Sequence, residues 1–277
     1  MLNEPPDHQR RVHPLERPPQ TPAEHQPEEQ QVMLHIPFVK PYIMWGLIAV
    51  NVLIYVIGWL IPRVGNDFLF YGANNQTAVL IDGEYVRLLY AMFLHASPAH
   101  VFFNMYALYA IGSSVEGLFG HARFIIIYLL GGLTGSLLSI LLNGPDVMSV
   151  GASGAVFAIF GAEIVYVYQH RKLLGERGRS RLRSLLIIAG MNFALGLATS
   201  LNLGGVIIDN WGHVGGFLGG ILLTWYIGPL FLLRRHPQRE GAFLAEDANP
   251  LIKNYQVVSL YSAALIGILI VATLIMR

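Results

Sequence analysis

Residues 147–157 read VMSVGASGAVF and place Ser153 between Gly151 and Gly154, with apolar residues on both sides. The apolar run that follows predicts that a membrane helix begins here. A hydroxyl group at this point has two explanations. It belongs either to a small residue that lets two helices pack closely or to a nucleophile at a helix N-terminus. Taken alone, a serine between glycines in a membrane helix is more often a packing residue.

The composition predicts a polytopic membrane protein. Of the 277 residues, 54% are hydrophobic and only 13% are charged, whereas a soluble domain carries about 25% charged residues. The net charge of +1 does not indicate a nucleic-acid partner, and without cysteine the chain has no disulfide or thiolate metal site.

Residues 1–40 hold eight of the 15 prolines and no apolar run. This composition predicts a disordered polar tail without the pattern of a signal peptide.

Seven segments are apolar and long enough to cross a bilayer, some of them marginally. They are residues 42–61, 99–115, 124–142, 152–168, 182–201, 212–233 and 257–276. With these spans, 15 of the 18 Lys and Arg residues fall on one side of the membrane. The positive-inside rule then predicts a cytoplasmic N-terminus and an outer C-terminus, and we expect the plasma membrane as the location.

Four polar residues interrupt the predicted spans: His100, Asn104, Ser153 and His213. Polar groups inside a bilayer are costly and indicate function by default. The predicted topology places all four toward the outer side. His100 and Asn104 are four residues apart and therefore share one helix face.

Glycines accompany these polar residues. Gly151 and Gly154 flank Ser153, and Gly161 lies about two turns further along the same predicted helix. Gly216 and Gly220 follow His213 on one helix face. Small residues let helix backbones approach closely, so these faces are expected to bring Ser153 and His213 within hydrogen-bonding reach.

The four polar residues form a chemically coherent set. A serine hydroxyl becomes nucleophilic when a base takes its proton, and histidine is the usual base. Free N–H groups at a helix N-terminus, the Asn104 amide and a ring N–H of His100 would stabilise an oxyanion. Asp209 lies four residues before His213, but we assign it to the outer loop and not to a triad.

Other readings of the same residues are a purely structural set of helix contacts and a metal site. His100 and His213 could ligate a metal ion with His95 nearby. However, His95 and His100 are five residues apart and no HExxH motif occurs, so they lack the spacing of a helical ligand pair. We expect neither a metal nor a cofactor.

Four motifs resemble those of the rhomboid intramembrane serine proteases, over residues 42–233. They are GASG at 151–154, HVGGFLGG at 213–220, HVFFN at 100–104 and GEYVRLLYAMFLH at 83–95. Within the last motif, Glu84 and Arg87 stand where the family has its first-loop residues. Two departures occur: Val86 replaces an aromatic residue, and Phe157 replaces a common tyrosine. Phe157 can pack against the ring of His213 but cannot donate a hydrogen bond.

The resemblance implies an all-α polytopic membrane protein with a six-helix rhomboid-like bundle and one C-terminal transmembrane helix. The division is a tail over residues 1–40, a core over 41–235, and a loop with the seventh helix over 236–277. The function implied is cleavage of transmembrane protein substrates within the lipid bilayer.

The resemblance also implies the roles of individual residues. Ser153 would be the nucleophile and His213 the general base. His100, Asn104 and the Ser153 N–H would form the oxyanion hole. The first loop, residues 84–94, would lie partly in the outer leaflet, and the fifth span with residues 202–210 would form a gate and cap.

Two other functions remain open at this point. A non-catalytic rhomboid-like protein would bind membrane proteins without cleaving them. A small transporter would use the polar residues as a pathway, although the inner halves of the same helices offer little polar continuation.

Overall fold

The structure is a computed structural model that describes residues 33–200, 208–235 and 242–277. Helices dominate these ranges and are numbered along the chain. They are α1 (Tyr42–Leu60), α2 (Pro62–Gly72), α3 (Arg87–Tyr90), α4 (Pro98–Phe119), α5 (His121–Leu142), α6 (Ser153–Gln169), α7 (Arg171–Ser200), α8 (Asn210–Ile227) and α9 (Tyr255–Met276). Short helical turns at Thr77–Ile81, Ala91–Phe93 and Leu251–Lys253 complete the helical part.

Each of the seven predicted spans overlaps one long helix within the described residues. In the described ranges, α1, α5 and α9 are both long and apolar enough to cross a membrane by themselves, and α6 is a shorter apolar helix. The remaining long helices contain polar residues or many glycines, which lower their mean hydropathy. They therefore depend on packing against neighbouring helices.

Two helix boundaries differ from the prediction. The sixth span was expected to reach residue 233, but α8 ends at Ile227, because Gly228 is extended and Pro229 follows it. The fifth span was expected to begin at residue 182, but α7 begins at Arg171 and contains a break at Gly175. Leu, Arg, Lys and Glu make up eight of the 11 residues 171–181, and these residue types favour helix.

A small sheet accompanies the helices. Its strands are β1 (Met33–His35), β2 (Phe231–Arg235) and β3 (Ala242–Asp247), in the order β1-β3-β2. β1 runs parallel to β3, and β2 runs antiparallel to it. This sheet adds to the predicted helical architecture, and β1 lies in the segment that the composition assigned to the polar tail.

Helices α6 and α8 approach each other along faces of small residues. A methyl group on Gly216 would collide with the carbonyl of Gly154, and one on Gly220 would collide with the carbonyl of Ala158. Both pairs join α6 to α8. The separation of the two helix backbones is therefore set by the absence of side chains.

Further glycines bring α5 into the same contact. A Cβ atom on Gly135 of α5 would lie 2.5 Å from the carbonyl oxygen of Gly212 and 3.4 Å from Cα of Gly154. Gly161 of α6 would likewise place a Cβ atom 2.6 Å from the carbonyl oxygen of Phe217. Three helices thus meet at their backbones.

Buried charged side chains connect α1 and β3 to the helices of the core. The fully buried Glu116 carboxylate of α4 accepts hydrogen bonds from the backbone N–H groups of Ile43 (2.9 Å) and Met44 (2.6 Å). It therefore caps the N-terminus of α1, where unpaired N–H groups and the helix dipole favour an anion. Arg123 of α5 pairs with Asp247 of β3 at 2.7 Å.

The seventh long helix, α9, packs against α5 and the first loop. The hydroxyl groups of Tyr261 and Thr134 lie 2.6 Å apart. Near the other end of α9, Ala272 is buried in a cluster with Leu80 and Leu137. A helix whose residues gave no indication of its role therefore supports the loop between α1 and α4.

His170 connects α6 to the sheet. Its Nδ1 lies 2.8 Å from the carbonyl oxygen of Tyr166, and its Nε2 accepts a hydrogen bond from the backbone N–H of Phe231 at 2.9 Å. Because Nε2 is an acceptor here, this contact requires the neutral ring. Burial lowers the pKa of His170 below its ordinary value of 6.5.

The stability contributed by neutral His170 should depend on pH. Since its pKa is lowered in the folded state, the contribution is fully present above pH 6.5 and is lost as the pH falls below that value. We expect the Tm of the parent protein to fall between about pH 7.5 and about pH 5, and the fall to be smaller in His170→Gln. Thermal unfolding in detergent measures both, and equal slopes would contradict the assignment.

The glycine contact between α6 and α8 predicts a large effect of one methyl group. Gly216→Ala should lower the free energy of unfolding by about 1–3 kcal/mol, because the methyl group has no space beside the Gly154 carbonyl. Gly267→Ala on α9 is the control, since open space surrounds Gly267. Equal unfolding free energies for the two variants would show that this contact does not limit the packing.

Candidate functional site

The first loop is ordered by Arg87. Its guanidinium group is buried, and Nη1 donates to the carbonyl oxygens of Phe70 (2.7 Å) and Ala73 (3.1 Å) at the end of α2. Nε is paired with the Glu84 carboxylate. The two first-loop residues singled out in the sequence therefore lie together and hold the loop against α2.

The segment before Ser153, residues 143–152, is irregular. Other parts of the chain supply hydrogen-bond partners for its backbone N–H and C=O groups. Ser149 and Asn74 exchange two backbone hydrogen bonds of 2.9 Å. Asn75 donates its amide to the carbonyl oxygen of Pro145 at 2.6 Å, and the N–H of Gly151 donates to Ala91 at 2.8 Å. Irregular backbone at membrane depth needs such internal partners.

Gly151 is the residue where this segment turns into α6. Its φ angle is +129°, a region that residues with a side chain rarely adopt. A Cβ atom there would lie 2.7 Å from Nε2 of His100 and 3.5 Å from Nδ2 of Asn104. His100 and Asn104 of α4 therefore face the backbone two residues before Ser153.

Ser153 begins α6, so its backbone N–H is one of those that the helix leaves unpaired. Ser153 lines a small cavity that Gly151, Asp209 and Gly212 also line. Its side chain is half-buried. The structure thus places a hydroxyl group at a helix N-terminus next to a polar cavity.

His213 lies in the first turn of α8, on the helix that approaches α6 most closely. Its ring stacks on Phe157 with centroids 4.5 Å apart and planes 21° apart, as expected for a phenylalanine at this position. The hydrogen bonds among the described residues include none between Ser153 and His213. Such bonds are often long without substrate and shorten when it binds.

His95 packs beside His100, with ring centroids 5.0 Å apart. Burial lowers the pKa of His95 to about 4, and the nearby His100 acts in the same direction. His95 is therefore neutral at physiological pH. It contacts the His100 ring and lines a cavity together with residues of α2. From the sequence alone, His95 was considered as a metal ligand and as the last residue of the motif at 83–95.

Asp209 lies closer to the site than the sequence analysis expected. It precedes α8, and its carboxylate accepts a hydrogen bond from the N–H of Gly212 at 2.8 Å, which makes it the N-cap of the helix that carries His213. An acidic residue directly before an apolar helical run is a recognised start signal, so the cap itself was readable from the sequence.

The predicted gate and cap can be described only in part. Residues 201–207, which are the last residue of the predicted fifth span and most of the predicted cap over 202–210, lie outside the described residues, as does the side-chain environment at the end of α7. Ser153, His213, His100, Asn104 and the glycines between them lie within the described part, at one end of the bundle.

Comparisons with known proteins show the family. The model of the Rhomboid domain matches residues 82–230. The chain is 32% identical over 191 residues to Rhomboid protease GluP of Bacillus subtilis (strain 168), covering 68% of this chain and 35% of that protein. It is 31% identical over 196 residues to Rhomboid-like protease 3 of Toxoplasma gondii, covering 66% and 68%.

A plant relative agrees with these matches. RHOMBOID-like protein 7 of Arabidopsis thaliana is 39% identical over 154 residues, covering 56% of this chain and 44% of that protein. The matches thus span less than half the length of the Bacillus and Arabidopsis proteins. The predicted all-α polytopic membrane bundle is confirmed, and the small sheet is an addition to it. The chain is therefore an integral membrane protein that belongs to the rhomboid family, a family of intramembrane proteases.

Proposed function

We propose that the protein is an intramembrane serine endopeptidase that uses a Ser153–His213 dyad to hydrolyse peptide bonds in or near transmembrane segments of other membrane proteins. The observation that carries the proposal is the convergence of three helix ends. The start of α6, which carries Ser153, packs against α8 through Gly154 and Gly216, three residues after His213, and Gly151 packs against His100 and Asn104 of α4.

The chemical steps follow from these positions. The Ser153 hydroxyl attacks the carbonyl carbon of the scissile bond while His213 takes the hydroxyl proton. His213 then gives that proton to the leaving amine, and water hydrolyses the acyl-enzyme by the same route. Stacking on Phe157 holds the imidazole ring of His213 in one plane. The ring therefore has fewer orientations available to it.

The oxyanion is stabilised by groups that are already in place. The Ser153 N–H is free of helix partners, and the buried Asn104 side chain and the His100 ring face the preceding backbone at Gly151. Preorganised donors of this kind need no rearrangement as charge develops, which makes them effective in catalysis. Neither step requires a metal or a cofactor.

The proposed setting is the plasma membrane, with the N-terminus in the cytoplasm and the catalytic end of the bundle toward the outside. The supporting observation is the distribution of Lys and Arg described above. The partners are then transmembrane protein substrates and the lipid bilayer. Glu84 and Arg87 hold the first loop against the end of α2.

A non-catalytic member that binds membrane proteins is the second candidate. The observation in its favour is that Ser153 and His213 are not hydrogen-bonded to each other among the described contacts. Such a protein would retain a membrane substrate without cutting it, so the two candidates differ in one measurable product.

Cleavage of a single-span membrane reporter in proteoliposomes tests the proposal. The parent protein should cleave it, with or without EDTA, and Ser153→Ala and His213→Ala should each lower kcat about a thousandfold or more. Cleavage that persists in Ser153→Ala would contradict the serine mechanism. Reporter that is bound by the folded parent protein but never cleaved would favour the non-catalytic candidate.

Gly151 provides a second test, because it combines a positive φ angle with contact to the oxyanion residues. Gly151→Ala should lower kcat by about tenfold or more, since the methyl group displaces the His100 ring. Gly144→Ala is the matched control. Gly144 also has a positive φ angle, of +85°, and lies in the same segment, but its Cβ position is open. Equal losses of kcat would assign the effect to backbone strain alone.

A further inference from the structure

We infer that Asp209 is a positioning residue for the proposed peptide hydrolysis: its carboxylate ties the start of the His213 helix to the segment that delivers Ser153. This inference rests on the proposed function. Asp209 makes no hydrogen bond to Ser153 or His213 among the described contacts, although its charge interacts with the His213 ring. We assign its effect to the backbone segments that it connects.

The carboxylate of Asp209 receives three donors from three separate parts of the chain. Oδ1 accepts from the N–H of Gly212 (2.8 Å) and from the side-chain amide of Asn143 (2.7 Å). Oδ2 accepts from the hydroxyl of Ser149. Gly212 immediately precedes His213, Asn143 caps the C-terminus of α5, and Ser149 lies four residues before Ser153.

Ser149 is held on its other side as well. Its backbone forms the two-bond bridge to Asn74, whose side-chain amide donates to the carbonyl oxygen of Ser136 on α5 at 2.8 Å. The segment before Ser153 is thus fixed to the first loop and α5 by Asn74, and to α8 by Asp209. The connection through Asp209 joins the segment that carries the proposed nucleophile, Ser153, to the helix that carries the proposed base, His213.

The charge of Asp209 suits this role. Among the described residues it has no Lys or Arg partner within salt-bridge distance, and its negative charge is met by hydrogen-bond donors and the N-terminus of α8. Hydrogen bonds to an ionised acceptor are shorter and stronger than neutral ones, and the N-terminus of a helix favours an anion. Asp209 also lines the cavity that Ser153 lines, so loss of the carboxylate would loosen one wall of the site.

A helix cap alone would predict a different outcome. A cap stabilises α8 and acts through Gly212, so Ser149 would be irrelevant to it. Asparagine is about as good a cap as aspartate, and at position 209 it retains Oδ1 for Gly212 and Asn143 while its amide can donate to the Ser149 hydroxyl. Only the positioning role predicts that Ser149→Ala lowers kcat. Both roles predict that Asp209→Asn recovers much of what Asp209→Ala loses.

The experiment measures kcat, KM and Tm for the parent protein, Asp209→Ala, Asp209→Asn, Ser149→Ala and the Ser149→Ala/Asp209→Ala double variant. The assay is reporter cleavage in proteoliposomes, at a temperature where every variant is folded. We expect Asp209→Ala to lower kcat about 10- to 100-fold, with KM changed less than about twofold. Ser149→Ala should lower kcat in the same direction, and the double variant should resemble Asp209→Ala, since both changes break one connection.

Asp247→Ala is the matched control. Its carboxylate also has three donors, from the backbone of Leu230 (3.0 Å) and Asn249 (2.9 Å) and from Arg123 (2.7 Å), but it lies beyond the other end of α8. It should lower Tm while leaving kcat of the folded protein unchanged.

The outcomes separate the two proposals. A parent protein that cleaves, with kcat unchanged in Ser149→Ala and Asp209→Ala, would overturn the role of Asp209 and leave the proposed function intact. Equal kcat losses in Asp209→Ala and Asp247→Ala would also overturn it, because general destabilisation would then explain both. A folded parent protein that cleaves no reporter would overturn the proposed function itself.

Discussion

The contact between Gly154 and Gly216 is the constraint on which the rest of the structure depends. Lipid tails are as apolar as the helix side chains, so burial of apolar surface does not draw membrane helices together as it does in water. Close packing must do so, and a backbone contact between α6 and α8 is available only to residues without side chains. Ser153 is adjacent to Gly154, and His213 lies three residues before Gly216. The contact therefore determines how close the backbones of Ser153 and His213 are.

Where the backbone is not helical, side-chain amides and carboxylates hold it in position. The irregular segment before Ser153 takes its partners from Asn74, Asn75 and Asp209, which belong to the first loop and to the start of α8. This arrangement resembles the way that Glu116 holds the N-terminus of α1. Backbone groups that would be costly in hydrocarbon are paired, and the pairing fixes the segment at the same time.

The helices and the glycine faces could be predicted from the sequence because helix periodicity is local. His100 and Asn104, or Gly216 and Gly220, share a face through spacing alone. The connection from Ser149 to Asp209 joins residues 60 positions apart, and no local pattern indicates it. The sheet escaped prediction for a similar reason: β1 is three residues long, and its pairing partner lies beyond α8. The apolar residues after α8 led to a predicted span that continued past Pro229. The helix ends earlier, at Ile227, because proline restricts the backbone of the residue before it.

The sheet also has a consequence for biosynthesis. Strand β1 is translated before every helix that the structure describes, whereas β3 is translated after α8. During synthesis, β1 has no strand to pair with until the ribosome has passed the six-helix core, and domains generally fold from the N-terminal end. Pairing of β1 with β3 is consequently a late event. Closure of the sheet therefore requires that the helices from α1 to α8 have all been synthesised.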